Sequence, residues 1–377
     1  MNGLDRRRWL LGAIVVLAVV AVAAALILFA GADPLVGLRG LVEGVSSSPY
    51  RVGEVLVGAV PVGMVALTLV PALRAGVFSV GAEGQIVMGA IAATAATLGV
   101  DSLTGGAAPG PVLWLAGLLA GAAGGAATAL LPAFLAVRWR VNEILSTLLL
   151  NYIAAGFLGF TLRTWLSSGE ATATPQSAKL PEAAALPILL PGTRAHWGLV
   201  IVLVVAVLLM LWLRTASSAR LRVFAERPTL ALRLGSSRAR TLYSTMLVSG
   251  AGAGAVGWIQ VAGVNERLLN SVSGGVGFSG LAVALLGGLA PVGVVVAALF
   301  FSALTAGAVG MQSATGTVPS SIAEVVKGVL LIGVACIAAY QRRPVVAPAE
   351  PESGIVEPPG EGIAGTVVEA EREGSGR

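Results

Sequence analysis

An all-α polytopic membrane protein with about ten transmembrane helices is the fold class that this sequence predicts, on three observations. Hydrophobic residues make up 56% of the 377 residues and charged residues only 11%, against roughly a quarter charged in soluble domains. The apolar residues gather into stretches near the length of about 20 that a helix needs to cross a bilayer. Arginines alternate between dense and sparse in the segments between them, as expected of segments that alternate between two sides of a membrane. The composition excludes an ordinary water-soluble globule. It also excludes a disordered chain, which needs low hydrophobicity and high charge.

The first span is expected at residues 9–30, behind Arg6, Arg7 and Arg8. A signal peptide is the alternative, since Ala30-Gly31-Ala32 resembles a cleavage site. Its apolar core of about 21 residues exceeds the roughly 7–15 of a signal, so retention is expected. The second span, 52–73, ends at Arg74, and the third, 79–99, opens on Ser79-Val-Gly-Ala-Glu83-Gly-Gln85. The fourth, 111–136, carries Gly117, Gly121 and Gly125 at four-residue spacing, a helix-packing face. The fifth covers 142–163 and the sixth 196–213, separated by an Ala-, Pro-, Ser- and Thr-rich loop, 164–195. Segment 214–240 follows, with seven arginines and a helix-compatible stretch at 228–234. The seventh, 241–264, repeats the small-residue face at Gly250 and Gly254. The eighth, 279–290, is too short to cross alone. It is a half-span, or fused by a kink at Pro291 to the ninth, 291–311, and such breaks occur where backbone is buried in protein or lines a wet cavity. The tenth covers 321–340.

With the N-terminus inside, Arg6, Arg7, Arg8, Arg74, Arg138, Arg140, the seven arginines of 214–240, Arg342 and Arg343 fall on the cytoplasmic side. Only Arg39, Arg51, Arg163, Lys179, Arg194 and Arg267 fall outside. This bias puts both termini in the cytoplasm. The chain divides into a transmembrane domain, 1–343, and a Pro/Gly-rich acidic tail, 344–377, expected to be disordered. The tail holds −5 of charge, so the net +5 of the chain is +10 for the body. That basic excess is a topology signal and needs no nucleic acid to explain it.

Cys336 and His196 are the only residues of their kinds. No intrachain disulfide can form, a zinc site of His and Cys lacks ligands, and serine chemistry has one candidate base. Gly277-Phe-Ser279-Gly280 resembles the nucleophile motif of rhomboid proteases, but no histidine follows it, and hydrolysis without the base loses its main activation. No Gly-x-x-x-x-Gly-Lys-Ser/Thr occurs, so the chain does not hydrolyse nucleotides alone.

Polar residues inside spans are the candidate functional residues, because each needs a protein partner or water. Glu143, Thr147 and Asn151 lie at i, i+4 and i+8, one stripe about 12 Å long. Asn142 is a good N-cap and Glu143 suits the first turn of a helix. Asn151 lies deeper, where the choice is between a solute contact and an interhelical hydrogen bond. Glu83 and Gln85 sit among glycines that permit close approach. Ser321-Ile-Ala-Glu324 is a capping box at the tenth span, with Lys327 beside it.

Three segments together resemble the permease subunits of ABC importers for sugars and branched-chain amino acids. They are Phe78-Ser-Val-Gly-Ala-Glu-Gly-Gln-Ile-Val-Met-Gly-Ala90, Asn142-Glu-Ile-Leu-Ser-Thr-Leu-Leu-Leu-Asn-Tyr-Ile-Ala154 and Gly277-Phe-Ser-Gly-Leu-Ala-Val-Ala-Leu-Leu-Gly287. The wording is most similar to the nucleoside permeases, with simple-sugar permeases next, over about residues 50–340. The resemblance implies a multi-pass protein of the cell (inner or plasma) membrane and an import pathway between two permeases. A sister permease, generally a different chain, a cytoplasmic ATPase with two cassettes and an external substrate-binding lipoprotein would complete the importer. No cofactor is expected on this chain, since ATP and Mg would belong to the ATPase. The pathway would draw on Glu83, Gln85, Glu143, Thr147, Asn151 and Ser279. The coupling helix would fall at 220–235, with Arg220, Arg222, Glu226, Arg227, Pro228, Arg233 and Gly235. Here the chain departs from the family, which has a glycine and an asparagine before an Ala-Ala pair where this sequence has Ala225-Glu-Arg-Pro-Thr-Leu-Ala. Import of nucleosides by alternating access is the function this implies. An ion-coupled secondary transporter using Glu83 and Glu143 as proton sites is the alternative class.

Overall fold

The computed structural model describes residues 27–169, 174–233 and 235–319, with scattered positions on either side. Among them the regular secondary structure is helical, with isolated bridges only in the loops. The helices are α1 (Pro34–Ser46), α2 (Pro49–Arg74), α3 (Ala82–Leu103), α4 (Gly110–Trp139), α5 (Glu143–Arg163), α6 (Gly198–Trp212), α7 (Ala216–Glu226), α8 (Pro228–Arg233), α9 (Arg238–Gln260), α10 (Val276–Leu286) and α11 (Pro291–Thr315). Six of them are long and apolar enough to cross a membrane: α2, α3, α4, α5, α11, and α9 extended by a π-helical turn to Asn265. The pair α6–α7, bent by 75°, adds a seventh if it counts as one span.

The predicted spans at 52–73, 79–99, 111–136, 142–163, 241–264 and 291–311 each have their long helix. The stretch 196–213 is the 15-residue α6, and 279–290 is the 11-residue α10, which starts three residues earlier and ends four earlier than expected. Most of the first and tenth spans, with Glu324, Lys327, Cys336 and the tail, lie outside the described residues.

The core forms around α2. Ser48 accepts the Arg51 N–H through its Oγ, Pro49 occupies the first turn, and Arg74 closes the last. In between the helix is apolar on every face, which is the pattern of a helix surrounded by others. From Val60 to Leu73 its side chains are buried, packed by α9, α10, α11 and α6.

The predicted glycine faces meet each other. A Cβ on Gly125 of α4 would lie 2.6 Å from the Gly254 Cα of α9, and one on Gly250 would lie 2.6 Å from the Gly125 carbonyl oxygen. Backbones this close gain dispersion contacts in a lipid solvent that offers no hydrophobic drive of its own. Gly254→Val is therefore expected to force α4 and α9 apart, at about 1–3 kcal/mol or more. The check is the yield of monodisperse protein after detergent extraction, which should collapse; an unchanged yield would contradict this packing.

Two helices were not foreseen. α1 falls where a loop was expected, and uses Gly40 and Gly44 to pack on α11 near Gly307, Gly310 and Ala314. Its 13 residues are too few to read as a span. α7 precedes the expected short helix, which is seen as α8. The loop before α6 is tied to the far end of α9: Ser177 Oγ accepts the Leu268 N–H at 2.8 Å, and Leu180 and Leu186 donate to the Glu266 and Ala262 carbonyls.

Candidate functional site

The chain between α2 and α3 is not helical. After Arg74 it passes through Val77–Val80 and re-enters helix at Ala82, so its polar backbone must find partners away from water. The stripe on α5 supplies them. Asn151 Nδ2 donates to the Val80 carbonyl and its Oδ1 accepts the Gly84 N–H, both at 2.9 Å. Thr147 Oγ1 accepts the Val80 N–H at 3.3 Å while donating to the Glu143 carbonyl at 2.8 Å. Asn151 lies eight residues into α5, about 12 Å from its start. The deeper part of the stripe therefore closes the ladder of a broken backbone. At the helix start Asn142 is the N-cap, its Oδ1 accepting from the Ile144 and Leu145 N–H groups.

Glu83 is 8% exposed and its Oε1 accepts the Gly277 N–H at 2.8 Å. Gly277 lies in the first turn of α10, and Glu83 in the first turn of α3. The carboxylate thus sits between two helix N-termini, where the backbone dipoles favour negative charge. Only glycine allows the contact, because a Cβ at 277 would lie 2.5 Å from the Glu83 nitrogen. At the other end of α10, Arg74 Nη2 donates to the Leu289 carbonyl at 2.8 Å, in a turn where Leu289 takes φ of 57°. The half-helix is held by an anion at its positive end and a cation at its negative end. Gln85 is 1% exposed, and its Oε1 has no partner among the described residues.

Removing the acceptor tests this hook. Glu83→Ala orphans a buried N–H, at about 1–3 kcal/mol, and should lower the unfolding temperature of the detergent-solubilised protein. Glu83→Gln keeps a carbonyl oxygen there and should unfold close to the parent. If all three unfold alike, the bond does not hold α10.

Beside the N-terminal end of α10 a cavity of about 410 Å³ opens between α2, α9, α10 and α11, within the range of about 300–1,000 Å³ typical of small-molecule sites. Arg51, Glu54, Arg194, Gln260, Gly275 and Ser279 are the polar and glycine residues on its wall that bear on a solute. Gly274 and Gly275 both take positive φ in the turn that starts α10. Glu54 Oε2 lies 3.8 Å from Arg194 Nη1, and its Oε1 is buried without a partner among the described residues. Ser302 donates its hydroxyl to the Val55 carbonyl and fixes α11 against α2.

Of the six residues expected along a pathway, Ser279 lines this cavity. Glu83, Thr147 and Asn151 support the elements beside it. Glu143 faces a separate crevice with Phe224, Ala225 and Arg238 under α7. Sequence reasoning missed Glu54, Arg194 and Gln260, which sit one in each of three separate elements; only Glu54, one turn after Arg51, carried a local signal.

At the arginine-rich end the chain bends by 75° from α6 into α7, which packs on α8, and α7 and α8 together make an elbow. Arg220, Arg222, Glu226, Arg227 and Arg233 are exposed, α8 begins at Pro228, and Gly235 takes φ of 81° after it. Buried Ala231 and the contact of Ala225 with Gly76 seat the elbow.

The family described as branched-chain amino acid transport system / permease component matches residues 51–335. A glucose ABC transporter permease protein of Haloferax volcanii, TsgB13, is 31% identical over 84% of this chain and 84% of its own. The guanosine ABC transporter permease protein NupP of Bacillus subtilis is 31% identical over 84% of this chain and 89% of its own. The nucleoside ABC transporter permease protein NupB of Lactococcus lactis is 28% identical over 87% of each. No solved structure gives a significant match.

Proposed function

The chain belongs to the family of branched-chain amino acid transport system permease components, and from that premise we propose that it is the membrane-embedded permease subunit of an ATP-driven importer for nucleosides. The observation that carries the reading is the likeness to guanosine and nucleoside permeases over most of the chain, together with a cavity of nucleoside size floored by a half-helix. The chain is a multi-pass membrane protein of about ten spans, with both termini and the arginine-rich elbow in the cytoplasm. ATP is bound and hydrolysed on a separate ATPase with two cassettes, and a sister permease and an external binding lipoprotein complete the importer.

In this reading the cavity between α2, α9, α10 and α11 opens outward to the binding protein. Gln260, Ser279 and the Glu54 carboxylate offer weak, reversible hydrogen bonds to a neutral polar solute, as passage requires. α10 is the floor. ATP binding pushes on α7 and α8, and the bundle rearranges so that α10 no longer separates the cavity from the cytoplasm. Glu83 and Arg74 hold α10 in place until then, while Thr147 and Asn151 keep the broken backbone of α2–α3 satisfied.

A simple sugar is the second solute to consider, on the strength of the glucose permease of Haloferax volcanii. Uptake of a radiolabelled purine nucleoside, competed by unlabelled nucleosides and by glucose, separates the two. Nucleosides should compete at low concentration and glucose should not; the reverse order would move the assignment to sugars. Ser279→Trp, which fills the cavity, should abolish uptake while leaving membrane abundance unchanged. Full uptake by that variant would put the pathway elsewhere.

A further inference from the structure

Two adjoining cavities at the arginine-rich end have not been assigned a role. The deeper, about 470 Å³, is an apolar cleft between α2, α6, α7 and α9, walled by Leu67, Leu208, Leu209, Trp212 and Val248. The shallower, about 220 Å³, is lined by Arg220, Ser236, Ser237, Arg240 and Thr241. Ser217, Leu221 and Ser244 belong to both walls, so the two spaces adjoin along α7 and α9.

The shallower space is built for an anion. Ser237 is the N-cap of the 23-residue α9 and lies on its wall, so the positive end of that helix's dipole is at this space. Arg220 and Arg240 stand on its wall from two different helices. Neither has a carboxylate partner among the described residues, where the three ion pairs use Arg39, Lys179 and Arg194. Thr241, on the same wall, is only 8% exposed. Two guanidinium groups outside the ion pairs, with Ser237 and Thr241 on the same wall, suit an oxyanion with several acceptor oxygens.

The deeper space is built for hydrocarbon. Val248 lies ten residues into α9, about 15 Å from its start, half the roughly 30 Å core of a bilayer. Leu208, on its wall, is exposed on the outer surface of α6. Hydrocarbon can therefore enter from the surrounding membrane. We propose that the two cavities together hold one anionic phospholipid of this leaflet, its phosphate between Arg220 and Arg240 over the N-terminus of α9 and an acyl chain in the cleft.

The site gives the elbow a second partner. Ser217, Arg220 and Leu221, at i, i+3 and i+4, put one face of α7 on the lipid, while Arg222 and Arg227 remain exposed for docking. The placement rests on reading the chain as a membrane permease, and the test scores lipid rather than uptake, so an error in the solute assignment leaves it intact.

The experiment is native mass spectrometry of the full-length protein, purified in mild detergent and offered equimolar phosphatidylglycerol and phosphatidylcholine. One phosphatidylglycerol per chain should survive conditions that strip phosphatidylcholine. Arg220→Ala/Arg240→Ala should reduce that retention about tenfold, and Val248→Trp, which fills the cleft, should reduce it with both arginines in place. Delipidated parent protein should also unfold at a higher temperature with phosphatidylglycerol than with phosphatidylcholine or inorganic phosphate, a readout independent of any variant. Equal retention of the two lipids, or unchanged retention by the double variant, would overturn the proposal. So would stabilisation by inorganic phosphate as large as by phosphatidylglycerol, which would leave an anion site without a lipid.

Discussion

Asn151→Leu is expected to cut solute uptake at least about tenfold while the protein still inserts and still binds its ATPase. Leucine shares asparagine's branching at Cγ and its number of heavy atoms but leaves the Val80 carbonyl and the Gly84 N–H unpaired. A buried unsatisfied polar group costs about 1–3 kcal/mol, so the loss falls on the non-helical segment before α3 and on the seat of Glu83. Insertion depends on the apolar spans, and docking is proposed for α7 and α8, so neither should suffer. Uptake normalised to membrane abundance is the measurement, with ATPase co-purification as the control. Normal uptake would remove Asn151 from any role in the pathway or its walls.

Replacing Arg222, Arg227 and Arg233 together with alanine is expected to uncouple the ATPase. All three are exposed on the elbow, and none is paired among the described residues. An exposed unpaired cation contributes little to its own fold but much to the approach of an acidic partner. Folding and insertion should therefore be normal, while ATPase co-purification and solute-stimulated hydrolysis fall to near background. Because exposed charges are screened beyond about 8–10 Å at ordinary ionic strength, parental co-purification should itself weaken as salt rises. Unchanged co-purification and stimulated hydrolysis in the triple variant would contradict the assignment of the elbow.

The sequence was most legible where one physical rule decides the outcome. Long apolar runs must be helices in a bilayer, and six expected spans have their helices. The glycines at 117, 121 and 125 and at 250 and 254 were readable as packing faces because small residues at four-residue spacing have little else to do. Asn142 was readable as a cap for a similar reason: its partners are its own neighbours in sequence. Where the partner is distant, the sequence could name the residue but not the bond. Asn151 was visibly polar at depth, yet nothing local told that its partners were Val80 and Gly84, 71 and 67 residues away. Glu83 raised the same difficulty, since its partner Gly277 is 194 residues off.

α1 escaped notice for a different reason. Thirteen residues with an arginine and a glutamate do not read as a span, and its Gly40 and Gly44 have meaning only against α11. The elbow was half legible: Pro228 announces a helix start, but α7 is a weakly apolar, arginine-bearing helix whose buried side appears only once α2 and α9 are beside it. The cavity was the least legible feature, because its wall takes residues from four helices and a loop, and no periodicity along the chain brings these together.

The central claim, an ATP-driven pathway for nucleosides through this chain, is tested most directly by transport in sealed proteoliposomes. The full importer, with its ATPase, sister permease and binding protein, is reconstituted with no ion gradient across the membrane. The account predicts accumulation of labelled nucleoside that requires ATP on the ATPase side, persists when protonophore is added, and disappears when the ATPase is omitted. Accumulation by the permease chains alone, driven by an imposed proton or sodium gradient and indifferent to ATP, would contradict it.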